Sequence, residues 1–240
     1  MAIAYVPRPA AIVIDIEGTT SSTWFVHRTL YPFSRAHFEP YLLKDAPAIW
    51  ELRRSICAEA GLSEESSTQE LVEVLNAWLD RDEKRTPLKT LQGMIWRDGF
   101  DSGELTSHFF PDAVPTLRRW RGEGIRLAVF SSGSIDAQHA WFGHTPEGSI
   151  LPLIESHHDT RTAGPKKVAR SYEVIRQQLG LPAQRILFLS DLVDELDAAA
   201  ADGWLTCGVR RRGDQYWERG VAGHPEITRL DELHWEGGHR

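Results

Sequence analysis

The stretch Ala11-Ile12-Val13-Ile14-Asp15-Ile16-Glu17-Gly18-Thr19-Thr20 decides the reading of this chain. Its four leading apolar residues are continuous rather than alternating, which marks a strand buried on both faces of a parallel sheet. The run stops at a carboxylate, and Gly18 permits the tight turn by which the chain leaves the strand. Three further runs have this character, at 127–130, 186–189 and 205–209. A weaker fifth, at 151–154, is interrupted by Pro152. Helix-like stretches lie between them at 113–121, 135–142, 167–179 and 195–201. Strand and helix alternating in this way predict an α/β fold, a doubly wound parallel sheet with helices on both faces.

The first strand has no immediate partner in sequence. Residues 20–109 intervene and read as helices: Ile49, Leu52 and Ile56, the run 71–79, then Leu88, Leu91 and Ile95 recur at helical spacing. Ser66, Ser67 and Thr68 precede Glu70 and are candidates to cap the second of these helices. Breaks are expected near Pro32, Pro40, Pro47, Pro87 and the stretch from Gly99 to Gly103. The predicted organisation is an α/β core from 1–19 and 110–240, with 20–109 as an inserted α-helical cap over the carboxyl edge of the sheet. The basic run at 210–212 reads as a solvated loop after a strand, and His157-His158 as a loop.

The 240 residues carry 27 Lys plus Arg against 34 Asp plus Glu, a net charge of −7. That balance disfavours a general binder of nucleic acid or anionic membrane. The two cysteines, Cys57 and Cys207, form no metal-type pattern and suit a reducing compartment. No apolar run approaches the ~20 residues of a bilayer span, and no signal-peptide core is present. The expectation is a cytoplasmic protein, and nothing in the sequence demands more than a monomer.

Ligands of doubly wound sheets collect beyond the carboxyl ends of the central strands. Asp15 and Glu17 follow the run at 11–14, Ser131-Ser132-Gly133-Ser134 the run at 127–130, and Ser190-Asp191 the run at 186–189, with Asp194 and Glu195 close behind. Gly164-Pro165-Lys166-Lys167 lies ahead of the run at 186–189. Carboxylates, hydroxyls and a lysine on one edge suit a magnesium ion and a phosphate. A carboxylate attacking a phosphate monoester brings two anions together. A hard divalent cation held by Asp15 and Asp191 would offset that repulsion. Ser131 and the amides of Ser132 and Gly133 would cradle phosphate oxygens at a helix start, with Lys166 adding positive charge. Glu17 is placed to protonate the leaving oxygen and then to activate water. Taken singly, each has a plain alternative as turn, cap or solvated residue; together, in order along one sheet edge, they point to catalysis.

These residues resemble the haloacid dehalogenase superfamily of phosphohydrolases. With Glu17 where most members carry a second Asp, Asp15-Ile16-Glu17-Gly18-Thr19-Thr20 looks like the signature of the enolase-phosphatases, the acireductone synthases of methionine salvage. Leu30-Tyr31-Pro32-Phe33, Leu88-Lys89-Thr90-Leu91-Gln92-Gly93-Met94-Ile95-Trp96, Phe130-Ser131-Ser132-Gly133-Ser134 and Phe188-Leu189-Ser190-Asp191 agree. The resemblance implies a Mg2+-dependent enzyme that enolises 5-methylthio-2,3-dioxopentyl 1-phosphate and then hydrolyses the phosphate. Asp15 would be nucleophile and metal ligand, and Glu17 acid/base and counted with the metal. Ser131, Ser132 and Lys166 would bind phosphate, and Asp191 would hold the metal. Glu195 would support the metal shell.

The third motif departs from the family at Val168 and His158, and Lys166 is favoured over Lys167 to face the phosphate. Lys89 is a candidate for the enolate oxygen, or lies in solvent. Trp24, Phe25, Tyr31, Phe33 and Trp96 either hold a thioether tail or form insert core. A generic phosphomonoesterase of the same superfamily, a silent binding module and a metal-free halogen-displacing enzyme are the competing readings.

Overall fold

The computed structural model describes residues 4–83 and 85–237. The chain starts with β1 (Ala4–Val6) and β2 (Ala11–Ile14), then a helical turn α1 (Thr23–Phe25) and a π-helical segment Val26–Leu30. Four longer helices follow: α2 (Tyr31–Leu42), α3 (Pro47–Ala60), α4 (Thr68–Asp80) and α5 (Thr86–Ser102). Next come α6 (Ala113–Gly122), β3 (Arg126–Ser131), α7 (Ile135–Gly143), β4 (Ser156–Asp159) and α8 (Ala169–Leu179). The last elements are β5 (Ile186–Ser190), α9 (Val193–Ala201), β6 (Leu205–Val209), β7 (Glu226–Ile227) and β8 (Leu233–Trp235). Two compact units result, one made of the chain up to Trp24 and from Thr106 onward, the other of Phe25–Leu105. Residues 20–24 and 106–109 therefore belong with the sheet.

Six strands form one parallel sheet in the order β4-β3-β2-β5-β6-β7. Every residue of β2 is buried, as its unbroken apolar run requires. One face of the sheet presents Ala11, Val13, Ala128, Phe130, Ile186 and Phe188, which pack on Tyr172 and Ile175 of α8 and on Leu196 and Ala199 of α9. Tyr172 is the hub of that face. Its ring meets Phe130, Phe188 and Trp204 edge-on at 5.5, 5.1 and 5.4 Å between centroids, and its hydroxyl donates to the Lys166 carbonyl at 2.7 Å.

Register then fixes what meets at the carboxyl edge. Ile14 stands opposite Val129 on one side and Leu189 on the other. The next residue, Asp15, donates its amide to the Leu189 carbonyl at 3.0 Å. Strand order reverses at β2, so Asp15 stands at the switch point of the sheet.

The structure corrects three local expectations. Residues 151–154 are not a strand. Leu151–Leu153 is a short 3-10 helix, and the strand beside β3 is Ser156–Asp159. Pro152 has no amide to give a ladder. The true strand escapes an apolar search because it is a polar edge strand, and His157 and His158 lie within it rather than in a loop. Pro40 lies inside α2, near its end, instead of breaking it.

The second unit has its own core, in which Phe38, Leu42, Ile49, Leu52, Ile56, Leu71, Leu75, Trp78, Leu88, Leu91 and Ile95 are buried together. These include the residues whose helical spacing marked the insert. Pro47 and Pro87 sit in the first turns of α3 and α5, where no amide partner is lost. Ser67 and Glu70 form a reciprocal capping box at the start of α4. Among the described residues no helix is long and apolar enough to cross a membrane.

Replacing Tyr172 with Phe keeps the ring packing but leaves the buried Lys166 carbonyl without its hydroxyl donor. Urea unfolding is expected to show a loss of about 1–3 kcal/mol.

Candidate active site

Asp15, Ser131, Lys166 and Asp191 are all buried at the carboxyl side of the sheet, on or just after β2, β3, the segment leading to α8, and β5. The Lys166 ammonium bridges two carboxylates, at 2.8 Å from Asp15 Oδ1 and 2.7 Å from Glu195 Oε2. Lys167, by contrast, is exposed and pairs with Asp194 at 2.7 Å. Asp15 Oδ1 also accepts the Ile16 amide at 2.7 Å. The turn that follows is closed by the amides of Thr19, Thr20 and Ser21, which all donate to the Ile16 carbonyl.

Gly18 makes this turn possible in two ways. Its φ of +69° is a left-handed conformation, and a Cβ there would lie 2.0 Å from Asp191 Oδ2. Backbone and carboxylate are therefore in direct contact, and Asp191 is held against the turn that carries Asp15. Glu17 lies in the same turn with its side chain exposed.

Ser131 ends β3, and its hydroxyl accepts the Gly133 amide at 3.3 Å. Ser132 is exposed beside it. The helix beyond opens at Ile135, as its sequence reading expected, with Ser134 as N-cap accepting the Ala137 amide at 3.3 Å. Gln138 reaches back from α7 to the carbonyls of Gly133 and His158, both at 2.9 Å, and so fixes the loop to β4.

A model of the haloacid dehalogenase-like hydrolases matches residues 9–203. The chain belongs to that family. Within these hydrolases it is 51% identical over 218 residues to enolase-phosphatase E1 of Streptomyces avermitilis, covering 90% of this chain and 91% of that protein. It is 47% identical to enolase-phosphatase E1 of Sorangium cellulosum, covering 93% and 96%. Among solved structures, the UTR4 protein of Saccharomyces cerevisiae superposes with a TM-score of 0.79 at 27% identity, over 94% of this chain and 100% of that one. CbbY of Rhodobacter sphaeroides, at 18% identity and a TM-score of 0.59 over 95% and 97% of the two chains, shares the fold.

Hydrolases of this family that act as phosphatases generally use a divalent metal, and the electrostatics here fit one. Asp15, Asp191 and Glu195 are buried around a single buried ammonium, that of Lys166. Burial displaces the Asp15 carboxyl upward, Lys166 opposes the shift, and Glu195 adds to it, leaving it raised. Burial, then the charges of Asp15 and Glu195, push Asp191 up to about 8. Burial alone would lower the Lys166 ammonium, yet the two carboxylates hold it above its ordinary value. Among the described residues no three His, Cys, Asp or Glu side chains are grouped so as to hold a metal ion. Two carboxylates, those of Asp15 and Asp191, are the number that a hard cation keeping several waters needs.

Glu195, expected to support the metal shell, binds Lys166 and accepts from Ser190 at 2.8 Å, so its link to Asp15 runs through the lysine. One residue lies elsewhere than the sequence reading put it. Arg211, assigned to a solvated loop, is buried and ion-paired with Asp112 at 2.9 Å. Asp159 went unread. It ends β4, where its carboxylate accepts the amides of Ile135, Arg161 and Thr162; burial would raise it, but these donors hold it below the usual range. Lys89 is exposed on α5. Tyr31, Phe33 and Trp96 pack against the core of the second unit, whereas the Trp24 indole donates to the Gly213 carbonyl at 3.0 Å in the sheet unit. His157 hydrogen-bonds Gln138 and packs edge-on to His139, and burial first, then the neighbouring histidines, lower it to about 4.

Removing the lysine tests this charge balance. Lys166→Met strands two buried carboxylates, and urea unfolding at pH 8 is expected to show a loss of about 3–5 kcal/mol. The deficit should shrink at pH 5, where the stranded carboxyls take up protons.

Proposed function

We propose that the chain is an enolase-phosphatase that converts 5-methylthio-2,3-dioxopentyl 1-phosphate to 1,2-dihydroxy-5-(methylthio)pent-1-en-3-one and phosphate. The observation that carries this reading is the buried Asp15–Lys166–Glu195 ion triplet beside Asp191, in a chain half identical to an enolase-phosphatase over nine-tenths of its length. The match extends through the whole second unit, which argues against a generic phosphomonoesterase. A silent binding module has no need for a buried lysine between carboxylates.

Asp15 acts as the nucleophile. Its Oδ1 is engaged by Lys166 and by the Ile16 amide, so Oδ2 attacks phosphorus. A P–O bond forms to Asp15 as the ester P–O bond breaks, and Glu17 donates a proton to the departing enolate oxygen. Glu17 then removes a proton from a water that attacks the aspartyl-phosphate at phosphorus, releasing phosphate and regenerating Asp15. Lys166, Ser131 and Ser132 hold the phosphate oxygens, and the Lys166 charge opposes the upward push of burial on Asp15. Asp15 and Asp191 would hold Mg2+ by their carboxylates, and Glu17 would add its main-chain carbonyl, which leaves its carboxyl for proton transfer. When bound, the ion supplies the positive charge that offsets repulsion between carboxylate and phosphate. The substrate is a small phosphorylated diketone met by a monomer in the cytoplasm, a setting supported by two buried free thiols, Cys57 and Cys207.

Asp15→Asn is expected to abolish phosphate release with no change in circular dichroism. Glu17→Gln should slow turnover and let acid-stable phosphate accumulate on the protein, read by mass spectrometry. Enol absorbance together with phosphate release from the diketo phosphate tests the substrate; turnover of unrelated esters alone would defeat it.

The metal prediction follows from linkage. In the metal-free protein Asp191 is raised to about 8, above its unfolded value near 3.8, so this group costs stability as pH rises through that window. Mg2+ competes with that proton. The melting-temperature gain from Mg2+ should be larger at pH 8 than at pH 6.

A further inference from the structure

The guanidinium of Arg211 is buried at 4% exposure, an expensive position for a charge unless its contacts serve a purpose. Its Nε donates to the Thr19 carbonyl at 2.8 Å. Its Nη1 donates to both Asp112 carboxylate oxygens at 2.9 Å and to the Thr228 carbonyl at 3.2 Å. Its face lies over the Phe110 ring, 4.3 Å from the centroid. Phe110 in turn donates its amide to the Thr20 carbonyl at 2.9 Å. Two successive carbonyls at the end of the turn that begins at Asp15 are thus gripped by one stacked pair.

The grip is anchored elsewhere. Asp112 accepts the Leu230 amide at 2.7 Å, so the guanidinium is tied to the chain beyond β7 as well as to the start of α6. Just past it, Asp214 accepts the Thr23 amide at 3.2 Å, a second clasp on the same outgoing segment. The Arg211 Nη2 is buried with no hydrogen-bond partner among the described residues.

We propose that Arg211 is a positioning residue for the catalytic turn: by holding the Thr19 carbonyl against the Asp112 anchor, it fixes the backbone that aims Asp15 and Glu17. The inference rests on the function proposed above, because it assigns Arg211 a role in that same reaction. The contact is to a main-chain carbonyl. No side chain of the turn is involved, so the effect of losing it is displacement of the turn and not loss of a substrate contact. Lysine in its place has a single ammonium, able to hold Thr19 or Asp112 but not both in the planar geometry of the fork.

The test uses the full chain in three variants, Arg211→Met, Arg211→Lys and Leu117→Ala. The last removes a buried side chain of α6 and serves as a control for lost stability. Two readouts are taken: turnover of the diketo phosphate, and hydrogen exchange at the amides of Thr19, Thr20 and Ser21. For Arg211→Met, kcat should fall about 10–100-fold, as for a displacement near 1 Å, with KM nearly unchanged. Exchange at the three amides should accelerate while β5 stays protected. Arg211→Lys should fall between wild type and Arg211→Met on both readouts, and it carries the test alone if Arg211→Met does not fold. Leu117→Ala should lower the melting temperature without moving either readout. Wild-type kcat and exchange in the arginine variants would overturn the inference, as would equal losses in Leu117→Ala. A wild-type protein inert toward the diketo phosphate would overturn the proposed substrate instead, and the exchange comparison would then decide the role of Arg211 by itself.

Discussion

Three carboxylates buried around one ammonium set the terms for this molecule. Asp15 and Glu195 share Lys166, and Asp191 is pressed against the same turn with no cation paired to it among the described residues. Such a cluster is costly to assemble from water, and much of the sheet unit can be understood as holding it in place. The register of β2 between β3 and β5 delivers Asp15. The tyrosine hub under the sheet delivers the lysine backbone, and the Ser190 hydroxyl orients Glu195. The second unit shares none of these hydrogen bonds. Its four long helices close on a core of their own.

Much of this was legible in the chain. Ala11–Ile14 and Leu205–Val209 are the strands that their apolar runs announced, and Asp15, Ser131 and Asp191 stand at or just past strand ends as the α/β alternation required. The insert was legible because its buried residues recur every three or four positions, a signal that survives short loops. What failed did so for physical reasons. Pro152 made an apolar run look interrupted when it was a single helical turn, while the edge strand at Ser156–Asp159 has a neighbour on one side only and carries polar residues.

The error at Arg211 has a plain cause. Arg211 sits in a run of three arginines, and composition treats all three as solvated. In the fold Arg210 lies over Trp217 and pairs with Glu226, whereas Arg211 turns inward to Asp112, ninety-nine positions away in sequence. Glu195, read from its spacing after Asp191, reaches the site through Lys166. Spacing along the chain reports helical faces well. It says little about which of several nearby carboxylates an ammonium will choose, because that choice depends on non-local packing.

The separate core of the second unit has an evolutionary corollary. Substitutions that reshape the helices from Phe25 to Leu105 can accumulate without disturbing the balance of charge at the sheet edge, since the two sets of side chains are stabilised independently. Descendants of such a chain can therefore vary in those helices while the carboxylates and lysine of the sheet edge are inherited intact. Change at Gly18 has no such latitude: any side chain there collides with a carboxylate, and that position admits no history but its own.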